Sequence, residues 1–172
     1  MIRQIILHPD TRLRTKCEPV ANITDERRRL AADMLETMYA APGIGLAASQ
    51  LGVMERLIVM DCIKPDENNP QPTIMFNPQI ISRSDETFSY EEGCLSLPEQ
   101  FAEVCRPTEV EVSWINEGGN PVERSFDGLW AICVQHEVDH LDGKLFIDYL
   151  TPVRRQIITR KMKKMKRELD RG

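Results

Sequence analysis

The sequence predicts an α+β fold, with mainly antiparallel strands packed around a central buried helix and a further helix at the C-terminus. Strand patterns come first along most of the chain, and helical patterns follow them. Residues 110–115 alternate between apolar and polar side chains, and a glycine-rich turn at 116–120 leads into a return strand at 121–126. The helix expected after Asp127 is apolar on most of its sides, which is typical of a buried helix.

The first part of the chain is predicted to contain two strands and one helix. Residues 2–7 form the first strand, and His8, beside a proline in a turn, is expected at the surface. Residues 24–39 form a helix, because Thr24 is a suitable N-cap and apolar residues follow at helical spacing. Residues 56–61 form the second strand, and a polar loop with three prolines follows at 64–73.

The second part is predicted to add further strands and two helices. Residues 74–82 form a strand pair or meander broken at Pro78, and residues 86–90 extend toward a Gly-Cys motif. The helix after Asp127 ends near Gly143. A long helix follows Pro152, with apolar residues near helical spacing at Ile157, Ile158, Met162, Met165 and Leu169.

Length and composition indicate one globular domain. The 172 residues, with 41% hydrophobic and 28% charged side chains, suit a single core. We predict one domain over residues 1–150 and a basic amphipathic helix over 151–172. No apolar run approaches the roughly 20 residues of a membrane helix, so no membrane partner is expected.

The chain is expected to be cytoplasmic. Its first residues lack the apolar core and cleavage site of a signal peptide. Five scattered cysteines without framework spacing favour a reducing compartment over a disulfide scaffold.

Charge is distributed unevenly. Residues 154–172 hold nine Lys or Arg and two acidic residues, which gives them a charge of +7. Since the net charge of the chain is −5, residues 1–153 carry −12. The acidic body argues against general nucleic-acid binding, and no DNA partner is expected. The terminal helix is either a solvated basic face or a docking element for an anionic surface.

A His-Glu-x-x-His pattern is the strongest chemical signal. His136 and His140 stand one turn apart on the same helix face, where both imidazoles can bind one divalent metal. The intervening Glu137 can reach a water on that metal. The alternative is two histidines with ordinary core hydrogen bonds. Predicted burial favours the metal, because buried imidazoles and a carboxylate need partners.

A third ligand must come from elsewhere, since catalytic sites of this kind use three protein ligands and one open position. Downstream candidates are poor, because position 146 is Phe146 and Glu168 lies near the end of a lysine-rich helix. Cys94 is the best candidate: Gly93 permits a sharp turn, and a thiolate is a strong ligand for a borderline metal. Cys133 is better interpreted as a small buried core residue.

Three segments occur in order: Gly43 to Gln50, Glu92 to Ser96, and Gln135 to His140. Together they resemble the three signature motifs of bacterial peptide deformylases. The resemblance extends from near Met1 to about Leu150, and the family also accommodates a terminal helix. It implies an α+β metallohydrolase that removes the formyl group from the N-terminal formyl-methionine of newly synthesised proteins.

The resemblance also implies catalytic roles. Cys94, His136 and His140 would be the metal ligands. Glu137 would act as general base toward the metal-activated water and then pass the proton to the departing amine. Gln50 and the backbone N–H of Leu95 would stabilise the oxyanion.

Substrate contacts follow from the same resemblance. The backbone of Gly43, Ile44 and Gly45 would pair with the formyl-methionyl peptide as an added strand. Glu92 would be a structural support with Arg106 as its partner. The methionine side chain would enter an apolar pocket, for which the candidates are Ile44, Leu129, Ile132 and Cys133.

One position departs from the family pattern. Phe101 lies near the place where many members carry an arginine that contacts the peptide, so contacts beyond the methionine are expected to differ.

The resemblance implies ferrous iron in the cell, while zinc, nickel or cobalt would also suit one thiolate and two imidazoles. The nascent peptide would be the substrate, and the 154–172 helix would be a docking element for the ribosome.

Two alternatives remain open. The first is an aminopeptidase or small endopeptidase using the same helix, which the absent downstream ligand disfavours. The second is a non-catalytic relative that only binds ribosomes or peptides, although every proposed ligand is intact.

Overall fold

One α-helix, seven antiparallel strands and two further α-helices follow one another in the computed structural model, which describes residues 1–63 and 67–172 and confirms the predicted α+β class. The helices are Asp25–Ala40 (α1), Gly128–Leu141 (α2) and Pro152–Leu169 (α3). The strands are Gly45–Ala47 (β1), Leu57–Met60 (β2), Thr73–Arg83 (β3), Thr87–Cys94 (β4), Leu97–Pro107 (β5), Glu109–Ile115 (β6) and Pro121–Asp127 (β7).

The strands form a five-stranded antiparallel sheet and a separate two-stranded ribbon. The sheet has the order β1-β2-β3-β6-β7, and β4 pairs with β5 in the ribbon. Strand β1 is at one edge of the sheet, where Gly45 is opposite Met60 of β2. Its other side has no strand partner within residues 1–63 and 67–172.

Helix α1 matches its prediction closely. The Thr24 side chain accepts a hydrogen bond from the backbone N–H of Arg27, which satisfies one of the free donors at the helix start. Met34 and Met38 are fully buried against the sheet, together with Leu46, Leu57 and Phe76.

Helix α2 is the most buried of the α-helices in the described residues, as its sequence predicts. Ten of its 14 residues are buried, because the five-stranded sheet, including its edge strand β1, and the ribbon pack around it. Asp127 occupies the N-cap position, although its side chain makes no capping hydrogen bond. Gly143 follows the helix with φ of +74°, and a Cβ there would lie 2.5 Å from the carbonyl oxygen of Arg14. Only glycine therefore fits this helix stop.

Helix α3 buries a narrower stripe than the sequence predicts. Ile158 and Met162 are buried against β5 and the 146–149 turn, and Met165 is half-buried. Ile157 and Leu169 are exposed, because this face of α3 has no element packed against it in the described residues. None of the helices in residues 1–63 and 67–172 is long and apolar enough to cross a membrane.

Two predictions at the N-terminus are wrong. Residues 2–7 form no strand; they run extended and make isolated bonds, such as Ile6 N–H to the Gln50 carbonyl at 2.8 Å. His8 is buried rather than at the surface, and its Nε2 lies 2.9 Å from the Thr159 hydroxyl on α3. Contacts with distant segments, which local sequence does not reveal, decide both outcomes.

Two further predictions concern the middle of the chain. Residues 74–82 belong to the single strand β3, and Pro78 lies where the pairing register shifts, so its missing N–H breaks no ladder bond. Strand β5 was not predicted. The loop predicted at 64–73 includes residues 64–66, which lie outside the described residues, and its last residue begins β3.

Candidate metal centre and peptide cleft

Two imidazoles and one thiol converge between α2 and the ribbon. The Nε2 atoms of His136 and His140 are 3.2 Å apart on adjacent turns of α2. Cys94, at the end of β4, brings its Sγ to 3.4 Å from Nε2 of His140. The three donor atoms lie within 4.8 Å of one another. A register shift between Gly93 and Cys94 turns the ribbon here, as the glycine suggested.

The residues fit a divalent metal ion. One thiolate and two imidazoles suit zinc, iron, nickel or cobalt by ligand type. Beside them, Oε2 of Glu137 is buried and has no hydrogen-bond partner among the described residues, which is costly for a carboxylate in a protein interior. A cation and its water would supply that partner.

Burial also adjusts the acidity of Glu137. The carboxyl is enclosed by α2 and β1, and this desolvation raises its pKa to about 7. A carboxyl with a pKa near neutrality can both take up and release a proton at physiological pH.

The orientation of His136 is set by a buried ion pair. Its Nδ1 lies 2.8 Å from Glu92, which also accepts bonds from Nε and Nη2 of Arg106 at 2.6 and 3.0 Å. Burial opposes ionisation of Glu92, but the bonds from His136 and Arg106 outweigh it and lower the Glu92 pKa. The ring therefore directs Nε2 toward Cys94 and His140. Glu92 and Arg106, which the sequence analysis paired, thus form a buried ion pair.

The pKa values of His136 and His140 are shifted in opposite directions. Burial, together with the neighbouring His136 and Arg106, lowers the pKa of His140 well below its ordinary value. Burial also acts against protonation of His136, but Cys94 and Glu92 outweigh it and raise the His136 pKa. Positive charge is thus favoured on His136 and disfavoured on His140.

Gln50 is held in one orientation beside the metal centre. Its Oε1 accepts from the backbone N–H of Ala47 at 2.9 Å, so its amide nitrogen faces the ribbon. That nitrogen lies 3.0 Å from the Ser96 hydroxyl and 3.6 Å from Cys94 Sγ. Sequence reasoning missed Ser96, although its position inside the Cys94 motif was a usable signal.

The metal centre opens into a cleft of about 570 Å³. Gly45 forms part of its wall, and a Cβ there would lie 2.6 Å from Glu137 Oε1 and 2.8 Å from Cys133 Sγ. Only glycine therefore allows β1 to lie directly against α2. The cleft is lined by all the residues predicted to contact substrate or oxyanion: Gly43, Ile44, Gly45, Gln50, Leu95, Leu129, Ile132 and Cys133.

Phe101 lies on the ribbon at the cleft mouth and is 60% exposed. It is opposite Gly93 in the ribbon, where a Cβ would meet the Phe101 ring at 2.7 Å. The ring thus covers the glycine and lines the cleft.

Further residues near the metal centre were not predicted. Asp139 accepts from Nη1 of Arg106 at 2.9 Å and from the Tyr149 hydroxyl at 2.7 Å. Asp139 lies inside the His-Glu-x-x-His segment, which was a signal, whereas no local pattern marks Tyr149. Phe146 occupies the position considered for a downstream ligand. Its ring packs against His136, with the two ring centres 6.2 Å apart.

Comparison with known proteins gives consistent matches. The sequence profile described as "Polypeptide deformylase" matches residues 2–156. A peptide deformylase of Pelagibacter ubique is 51% identical over 165 residues, covering 96% of this chain and 95% of the relative. The crystal structure of peptide deformylase from Ehrlichia chaffeensis superposes with a TM-score of 0.93 at 36% identity, covering 98% of both chains. A class I type b peptide deformylase from Acinetobacter baumannii, solved with Met-Ala-Ser bound, has a TM-score of 0.81 at 32% identity, covering 87% of this chain and 99% of that one.

Proposed function

The chain belongs to the polypeptide deformylase family and is a metal-dependent hydrolase that removes the N-formyl group from nascent peptides, and we propose that Cys94, His136 and His140 hold the metal ion. The convergence of their donor atoms within 4.8 Å is the observation that carries this assignment. The alternative of a protease with a downstream ligand loses its support, because Phe146 offers no donor and Glu168 is exposed on α3.

Glu137 acts as the general base. A bound divalent cation supplies Lewis acidity, which lowers the pKa of water and polarises the formyl carbonyl. The Glu137 carboxylate takes the proton from the attacking water and then gives it to the departing amine nitrogen. Its pKa of about 7, raised by burial, suits both transfers.

Gln50 and the backbone N–H of Leu95 stabilise the oxygen of the formyl group as it gains negative charge. The fixed amide orientation of Gln50 supports this role, because its donor nitrogen faces the metal centre in advance. Leu95 lies directly after Cys94 and lines the same cleft.

The peptide enters as an extended strand along β1. The backbone of Gly43, Ile44 and Gly45 borders the cleft, where β1 has a free edge within the described residues. The methionine side chain enters the apolar end formed by Leu129, Ile132 and Cys133, with Ile44 beside it. The Met-Ala-Ser complex of the Acinetobacter baumannii relative supports a peptide in this cleft.

The metal in the cell is ferrous iron, with zinc, nickel or cobalt as alternatives in purified protein. A borderline metal suits the mixed sulfur and nitrogen ligands. Nascent chains are the substrate, and on this basis we place the enzyme in the cytoplasm.

Residues 1–150 form the catalytic domain, and residues 151–172 dock on the ribosome. Most basic side chains of α3 are exposed, and none forms an ion pair with an acidic side chain in the described ranges. An unpaired basic face of this kind is attracted to ribosomal RNA.

Formate release from a short formyl-methionyl peptide tests the catalytic assignments. Wild type and Glu137→Ala are purified without oxygen, loaded with ferrous iron or nickel, and compared at about one metal ion per chain. We expect turnover to fall by roughly 10²- to 10⁴-fold in the variant. A variant that retains turnover would exclude Glu137 as the base, and inactive wild type with full metal content would overturn the site assignment.

A further inference from the structure

The proposed metal ligands come from two elements that share no strand pairing. Cys94 belongs to the β4–β5 ribbon, whereas His136 and His140 belong to α2. The ribbon is separate from the five-stranded sheet, so no hydrogen-bonded ladder fixes its distance from α2. Side-chain contacts between the two elements therefore help to set the spacing that a metal requires.

Arg106 is the side chain that bonds to both of them. It is buried on β5, and its Nε and Nη2 bind Glu92 of β4, which in turn binds His136. Its Nη1 binds Oδ2 of Asp139 on α2 at 2.9 Å. A guanidinium is planar and rigid, so anchoring both of its sides fixes the ribbon relative to the helix.

Tyr149 completes this arrangement from a third direction. Its hydroxyl donates to the same Oδ2 of Asp139 at 2.7 Å, and its ring lies 4.9 Å from the Arg106 guanidinium. Tyr149 ends the 146–149 turn directly before α3, and its contact limits rotation of the Asp139 carboxylate. Asp139 thereby presents its oxygen to Arg106 in one orientation.

We propose that Asp139 and Tyr149 are positioning residues that act through Arg106 and Glu92 to hold the ligand-bearing ribbon and helix together and so slow the loss of the metal. This inference rests on the proposed ligand set. Outer partners of metal ligands commonly change metal affinity by about 10- to 100-fold when they are removed. Because Asp139 and Tyr149 act through two further side chains, we expect effects at the low end of this range or below it.

The test measures transfer of Co²⁺ from the loaded full-length protein to excess EDTA. We expect Asp139→Asn to lose cobalt about 10-fold faster than wild type and Tyr149→Phe about 3-fold faster. The double variant should lose it no faster than Asp139→Asn alone, because Tyr149 acts through Asp139. Tyr149→Phe keeps the ring over Arg106, so it removes only the hydrogen bond.

Tyr39→Phe is the matched control, since Tyr39 also donates to an aspartate, Asp61, at 2.6 Å. We expect cobalt loss at the wild-type rate. The cobalt–thiolate absorption band is recorded for each protein, and we expect it to shift in Asp139→Asn, which general loosening of the fold would not cause.

Wild-type rates in both Asp139→Asn and Tyr149→Phe would overturn the inference, as would an equal acceleration in Tyr39→Phe. Wild type that fails to retain cobalt would instead overturn the proposed ligand set.

Discussion

Helices α2 and α3 use polar side chains in opposite ways. Helix α2 buries His136, Glu137 and His140 beside Cys94, and contacts from the ribbon constrain them. Helix α3 buries only Ile158 and Met162 and leaves most of its basic side chains in solvent. Buried polar groups depend strongly on each partner, whereas exposed charges interact weakly with any single one. Substitutions should therefore be costly around α2 and mild on the outer face of α3.

The largest loss is expected at the ion pair that supports α2. Arg106→Met would leave the buried Glu92 with His136 as its only side-chain partner among the described residues, and we expect the free energy of unfolding to fall by about 3–5 kcal/mol. Urea denaturation measures the change. Arg12→Met, which breaks the exposed pair with Asp10, is the control and should cost less than about 1 kcal/mol. Equal losses of unfolding free energy in Arg106→Met and Arg12→Met would contradict the difference expected between buried and exposed ion pairs.

The next loss is expected at the one apolar stripe of α3. Met162 is fully buried, and Met162→Ala should lower the free energy of unfolding by about 2–4 kcal/mol through lost burial and a cavity. Ile157→Ala, on the exposed face of the same helix, should change it by less than about 0.5 kcal/mol. Denaturation of both variants checks whether α3 really packs on one side only.

A smaller and pH-dependent loss is expected where α3 meets the N-terminal segment. Burial of His8, reinforced by Arg14, lowers its pKa from 6.5 to about 4. The folded state then binds fewer protons than the unfolded state, so the stabilisation present above pH 6.5 is lost as the pH falls toward 4.

Between pH 7 and 5 this loss amounts to about 2 kcal/mol for one group with these two pKa values. The difference in unfolding free energy between wild type and His8→Gln, measured across this range, isolates the contribution of His8. A difference that stays flat with pH would show that His8 is not desolvated.

The smallest effect on catalysis is expected from the basic face of α3. Lys161→Gln, Lys163→Gln and Lys164→Gln together should leave formate release from a short peptide within about twofold of wild type. Ribosome affinity should fall, with a shallower dependence on salt. Co-sedimentation with ribosomes at several salt concentrations measures this. Unchanged affinity would remove the docking role from α3.

The sequence predicted those features that depend on local spacing and missed those that depend on contacts between distant segments. The pattern around His136 and Cys94 predicted which donors lie together, because helical spacing and a glycine turn are local properties. Helix α1 and the β6–β7 hairpin were predicted for the same reason. The burial of His8 and the contact from Tyr149 depend on segments far apart in the chain, so no local pattern encodes them.

The unpaired edge of strand β1 could pair with a strand of a second copy of the chain. An unpaired strand edge can bind a passing peptide, but it can equally join the sheet of a second copy. Here the free edge is only three residues long and is fully buried, and just before it Gly43 lies against the side chain of Leu95, in the turn that joins β4 to β5. A flexible chain end can thread into this recess, whereas the rigid edge of a folded sheet cannot. The geometry that we propose for peptide binding would thus also protect the enzyme from aggregating through this edge.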